Sequence, residues 1–232
     1  MNIIEVKNLK KSFKIGKENL DVLKNIDFSV EKGEFISIMG PSGGGKSTLL
    51  YLLGGLDKPT SGQVIINGKD ISKIKEKEMS KMRRNSIGFV FQFYNLVPNL
   101  TVEDNILLPL ILDGKKLKSY EKKLNEILDI IGMQDKRKMT PRELSGGQQQ
   151  RVAIARALIF EPEIIFLDEP IGNLDSKTGT EIMELFKKIN VELGKTLIQV
   201  THSSESAHYG TSIINLIDGE IVGTEKLKEK IS

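Results

Sequence analysis

The stretch from Phe35 to Leu53 constrains this chain more than any other. Phe35-Ile36-Ser37-Ile38-Met39 is a short apolar run of the kind that forms a buried strand, and Ser47 to Leu53 reads as a helix. Between them Gly40-Pro41-Ser42-Gly43-Gly44-Gly45-Lys46-Ser47 fits G-x-x-x-x-G-K-[ST] without a gap, and Thr48 follows. Glycines are needed there because side chains would keep backbone N–H groups away from phosphate oxygens. The helix start adds free donors and the positive end of a dipole. Lys46 would reach the β- and γ-phosphates, and the Ser47 hydroxyl would join a Mg²⁺ shell. The stretch predicts a strand, a phosphate loop and a helix that hold a nucleoside triphosphate.

The rest of the chain fits around that unit. Ile3 to Val6 and Ile26 to Val30 alternate as half-buried strands, joined by a polar stretch with one exposed-looking aromatic, Phe13. Val64-Ile65-Ile66 followed by Asn67-Gly68 predicts a strand and tight turn. Ile87 to Phe91 is a further strand, ending at Gln92. Residues 92–144 then turn helical. Thr101-Val102-Glu103-Asp104 opens a helix that Pro109 limits, and Leu117, Tyr120, Leu124, Ile127, Leu128 and Ile131 mark an amphipathic helix closed by Gly132. Ser145 to Gln148 precede a helix over 149–160. Strands are expected at Glu163 to Leu167 and Thr196 to Val200, with a helix between them and a closing hairpin through Asp218-Gly219. Lys226 to Ser232 is expected to fray.

Strands alternating with helices after residue 34 predict an α/β fold with a mostly parallel sheet covered on both faces. An antiparallel β portion precedes it, and a helical subdomain over about 92–144 interrupts a nucleotide-binding core of 1–91 and 145–232. Ligands of such sheets bind at the carboxyl ends of strands. Asp168 ends one strand as a candidate Mg²⁺ ligand, Glu169 follows as a candidate general base, and His202 follows another strand as a γ-phosphate contact.

Composition bounds the partners. Against 31 Asp and Glu stand 34 Lys and Arg, a balance of +3 that does not demand nucleic acid or an anionic surface. The lysine-rich runs 73–84 and 115–123 read as solvated faces. The chain has no cysteine, which excludes disulfides and thiolate metal sites. No apolar run approaches the roughly 18 residues of a membrane span, and the N-terminus lacks a signal-peptide layout. The expectation is a cytoplasmic protein whose membrane role comes from a partner.

Leu144-Ser145-Gly146-Gly147-Gln148, with the motifs above, resembles the ATP-binding cassette of ABC transporters over nearly the whole chain. The resemblance implies an ATPase using ATP and Mg²⁺. It implies a homodimer formed on ATP, in which Ser145, Gly146, Gly147 and Gln148 of one subunit cover the nucleotide on the other's phosphate loop. Gln92 matches the glutamine that links Mg²⁺ and water to the membrane permease, which would touch the chain near Gln92 and the helical subdomain. Asn173-Leu174-Asp175 matches the dimer-contacting D-loop, His202 the switch histidine, and Phe13 the aromatic that stacks on adenine.

Gly172 to Asp175 and Asn95 to Thr101 are similar to one branch: lipoprotein release, macrolide export, antimicrobial-peptide resistance and the cell-division cassette. Ile171 departs from that branch's usual Thr or Ser, Ser203 from its Asp, and 208–212 lack its Asp-Arg. The implied role is to power a separate permease that exports or mechanically transmits to peptides, macrolides or lipoproteins. The alternative is a non-transport ABC ATPase regulating a membrane complex such as the division machinery. Long coiled coils, expected of chromosome-type members, have no heptads here. A phosphate-loop kinase or GTPase does not account for residues 144–148.

Overall fold

Every strand expected from an apolar run is present in the computed structural model, which describes residues 1–227. The chain runs β1 (Asn2–Ile15), β2 (Glu18–Glu31), β3 (Phe35–Met39), α1 (Lys46–Leu53), β4 (Ser61–Ile66), β5 (Lys69–Asp70), α2 (Glu76–Ser86) and β6 (Ile87–Phe91). It continues with α3 (Val102–Leu112), α4 (Glu121–Ile130), α5 (Gly146–Leu158), β7 (Ile164–Asp168), α6 (Ser176–Leu193), β8 (Thr196–Thr201), α7 (Ser204–Ala207), β9 (Ser212–Ile217) and β10 (Glu220–Lys226).

Two sheets result. One is antiparallel in the order β2-β1-β4-β5; the other has the order β10-β9-β3-β8-β7-β6, parallel except for the edge strand β10. The chain belongs to the α/β class with a phosphate-loop core, as expected. The central strands read as nearly continuous apolar runs because both of their faces are covered, with buried Ser37 and Gln199 as a hydrogen-bonded exception in β3 and β8. Ile36 and Ile38, Ile164 and Phe166, and Ile198 and Val200 point into a cluster with α1 and the antiparallel sheet. Phe35, Ile165, Leu167 and Leu197 alternate into a second cluster with α3, α4, α5 and α6.

Several expectations change. The polar stretch between the first two strands is itself sheet: β1 and β2 pair out to Ile15 opposite Glu18 and turn at Gly16. Residues on both faces of that outer half meet water, so no alternation betrays it. Pro109 does not end α3, which runs on to Leu112 with the proline inside it; the missing N–H removes one rung while the apolar face keeps packing. The amphipathic segment from Leu117 begins as a 3₁₀ turn before α4. The helix expected over 149–160 starts three residues earlier and ends at Leu158, because Ser145 caps it. α2 lies where a solvated charge run was expected, and it buries only Met79. Of the expected frayed tail, Lys226 closes β10, and residues 228–232 lie outside the described residues.

Candidate active site

β3, β8 and β7 are neighbours running in the same direction, so the residues following them share one sheet edge. After β3 comes the phosphate loop. Gly40 has no alternative there, since a Cβ would lie 1.9 Å from the Leu216 carbonyl oxygen. Gly45 has φ +91°, and a Cβ on it would lie 2.9 Å from both Leu23 Cδ2 and Val22 O. The Lys46 ammonium turns back into the loop and donates to the Gly40 and Pro41 carbonyls, both at 2.9 Å. Gly44 and Gly45 are buried while Ser42 and Gly43 are exposed, and Ser47 and Thr48 lie half-buried in the first turn of α1.

β7 delivers Asp168 against that turn. Ser47 Oγ donates to Asp168 Oδ1 at 2.9 Å, and the Tyr51 hydroxyl donates to Oδ2 at 2.6 Å. Burial, the hydrogen bond and the charge of Asp168 push the Tyr51 phenol up to about 12, so it stays a donor. Glu169 then leaves the strand with φ +46°, in the left-handed region, its N–H donating to the Val200 carbonyl at 3.1 Å. A non-glycine residue there stores about 1–3 kcal/mol. The kink lays its carboxylate Oε1 3.1 Å from Nδ1 of His202, which follows β8. The His202 side chain is 66% exposed and that of Glu169 18%.

Gln92 does not meet Ser47 or Asp168 through a hydrogen bond. Its amide donates to Asn173 Oδ1, and Asn173 donates back to the Gln92 carbonyl, both at 3.1 Å. Leu174 packs on the second apolar cluster, and Asp175 caps α6 by accepting from the Thr178 N–H at 3.0 Å. Hydrogen bonds from Thr178 hold the Asp175 carboxyl below its ordinary range.

The 145–148 stretch forms a capping box. Ser145 Oγ accepts from the Gln148 N–H, and Gln148 Oε1 accepts from the Ser145 N–H. Ser145 is exposed, whereas Gly147 is buried with Thr178 against it. Phe13 is 40% exposed and carries the Lys11 ammonium 4.7 Å above its ring. The departures have structural employment: Ile171 packs into the second cluster, and Ser203 caps α7, a task an aspartate also performs.

Sequence reasoning missed three donors. One is Tyr51. Another is Gln150, fully buried on α5, whose amide donates to the Pro170 carbonyl at 2.6 Å and the Phe91 carbonyl at 3.4 Å, while its Oε1 meets no donor among the described residues. Arg156 is the third, donating to the Tyr94 and Asn95 carbonyls at 2.8 and 2.5 Å. Burial pulls its pKa down. Helical spacing from Ser47 was the available signal for Tyr51; for the other two nothing local distinguishes them.

The ABC transporter family profile matches residues 23–172. This chain is an ABC transporter ATPase. A solved dimeric structure of the ATP-binding cassette MJ0796 of Methanocaldococcus jannaschii, in a post-hydrolysis state bound to ADP and Pi, is 47% identical to this ABC ATPase. It covers 97% of this chain and 99% of its own, with a TM-score of 0.88. The lipoprotein-releasing system ATP-binding protein LolD of Aquifex aeolicus is 46% identical over 95% of this ABC ATPase and 96% of itself. The macrolide export ATP-binding/permease protein MacB of Bdellovibrio bacteriovorus is 45% identical over 97% of this chain, which spans 34% of that longer protein.

Proposed function

We propose that this ABC ATPase works as an ATP-closed homodimer that powers a separate membrane permease for lipoproteins, macrolides or peptides, from the cytoplasmic face of the membrane. The observation that carries the catalytic part is the meeting of Ser47 with Asp168, beside the Glu169–His202 pair, at the ends of adjacent parallel strands. LolD-type and MacB-type relatives at 45–46% identity support the branch. The dimeric MJ0796 cassette supports the dimer.

The roles divide by chemistry. Lys46 and the loop N–H groups, with Gly40, Ser42, Gly43, Gly44, Gly45 and Thr48, hold the triphosphate, and the Phe13 ring stacks on adenine. A hydroxyl and a carboxylate 2.9 Å apart are hard oxygen donors, suited to an ion that takes its other ligands from phosphate and water. Among the described residues no group of three or more His, Cys, Asp and Glu gathers, so Ser47 and Asp168 fit a shared Mg²⁺ rather than an all-protein cage. Mg²⁺ there would offset phosphate charge. Glu169 accepts the proton of the attacking water, and His202 orients that carboxylate. Gln92, through Asn173, reports the site to the permease. The partner's Ser145 to Gln148 stretch closes over the phosphates, with Asn173-Leu174-Asp175 at the dimer contact.

Residues 92–144 serve as the permease-facing subdomain of a core formed by 1–91 and 145–232. Phe93 is 71% exposed and Leu112 73%, which leaves apolar surface beside Gln92 and on α3 for a partner. No helix among the described residues is long and apolar enough to cross a membrane, so a spanning helix would come from that partner.

Mixed dimers test the shared site. Lys46→Ala removes the ammonium from one chain; Ser145→Glu sets negative charge at the exposed helix start of the other. Each homodimer should be inactive, and mixing should restore one intact site and measurable ATPase activity. If each variant is active when linked to wild type while the linked pair of variants stays inactive, the shared site is wrong.

A further inference from the structure

Ser47 and Tyr51 lie four residues apart on α1, so both side chains stand on one helix face a turn apart. That face meets the end of β7, where Asp168 presents one carboxylate oxygen to each: Oδ1 to Ser47 and Oδ2 to Tyr51. The Tyr51 ring packs against the apolar cluster under α1, so its hydroxyl is delivered by a rigid, partly buried ring rather than by a flexible chain. With one oxygen tethered, a carboxylate can swing about its last bond and offer either oxygen. With both tethered from the same helix, it has one orientation.

We propose that Tyr51 is a positioning residue for the metal–nucleotide site. Its hydroxyl locks Oδ2 of Asp168 so that Oδ1 stays turned to Ser47 at the mouth of the phosphate loop. Partners that orient a metal-holding side chain commonly change metal affinity 10–100-fold, roughly, when removed. The inference rests on the reading of Ser47 and Asp168 as Mg²⁺ ligands, and nothing in the sequence motif demands a hydroxyl at position 51.

Tyr51→Phe removes the hydroxyl and keeps the ring. The readout is affinity of the full chain for a fluorescent ATP analogue, in EDTA and along a MgCl₂ titration, with Mn²⁺ binding followed by EPR. In EDTA the variant should bind the nucleotide as wild type does. The Mg²⁺ concentration giving half of the metal-dependent tightening should rise about tenfold, and Mn²⁺ affinity should fall in parallel. An unchanged or lower half-point overturns the inference, as does equal weakening in EDTA, which would mark Tyr51 as packing alone. Asp168→Asn separates the two readings: if it leaves the half-point unmoved, the metal assignment itself fails. In the Asp168→Asn background, Tyr51→Phe should add no further rise. An additive rise there overturns the inference even if the ring substitution costs some stability.

Discussion

Gly147, on α5, faces the Thr178 side chain on α6. A Cβ built on it lies 2.3 Å from Thr178 Cγ2, while the next neighbour, Thr178 Cβ, is 3.7 Å away. Gly147→Ala therefore drives one methyl into another across the contact between α5 and α6, and the helices must part or a rotamer must turn. Overpacking of this kind costs about 1–3 kcal/mol. For a chain of 232 residues that is a fall in Tm of about 2–12 °C. Thr178→Ser removes Cγ2 and keeps the hydroxyl that bonds Asp175. In that background the nearest remaining atom is at ordinary contact distance, and alanine has up to about 1 kcal/mol better helix propensity than glycine. Gly147→Ala should then be neutral or mildly stabilising. Thermal unfolding of the four proteins, with ATPase activity alongside, gives the coupling directly. Equal losses from Gly147→Ala in both backgrounds would refute the steric argument. If stability recovers in the pair but activity does not, the glycine serves the nucleotide as well as the helix contact.

Glu169→Gln keeps shape at the kinked position while removing the base, so turnover should fall about 10²–10⁴-fold with ATP binding retained, and the protein should elute as a dimer in ATP-Mg²⁺. A variant that remains monomeric and hydrolyses normally would return Glu169 to a solvated carboxylate. Glu103→Gln tests the ion cluster at the start of α3. Burial raises the Glu103 carboxyl, but hydrogen bonds and charge from Lys138 and Arg137 outweigh it and hold the group below 4.5. Its stabilisation is therefore full above the unfolded carboxylate pKa and lost as pH falls through the lower, folded one. The substitution should cost about 1–2 kcal/mol at neutral pH, and the gap should narrow as pH falls below the ordinary Glu pKa of about 4.3; a gap as wide well below that value as at neutral pH would contradict that sign.

Legibility followed burial. β3, β7 and β8 could be read from sequence because both of their faces are apolar, whereas α2 could not, because one buried methionine gives no period. The outer half of the β1–β2 hairpin is wet on both faces and so looks like a loop. Ser47, Asp168, Glu169 and His202 were legible as motif residues at strand ends, and the structure pairs them as Ser47 with Asp168 and Glu169 with His202. The Gln92–Asn173 exchange was not, since it joins two loops 81 residues apart. Tyr51, Gln150 and Arg156 sit inside helices, where no local pattern sets them apart, and only the fold shows what their polar tips reach.

The grip of α5 on residues 91–95 has a mechanical consequence. Gln150 and Arg156 hold the carbonyls of Phe91, Tyr94 and Asn95, so this span carrying Gln92 is fastened to the helix at two points. Thirteen residues at about 1.5 Å each make α5 a rod of about 20 Å. A tilt of about 3° pivoting at Ser145 moves its far end by about 1 Å, and Tyr94 and Asn95 must travel with it. Small rotations at the Ser145 end are thereby geared up into displacement beside Phe93 and Gln92.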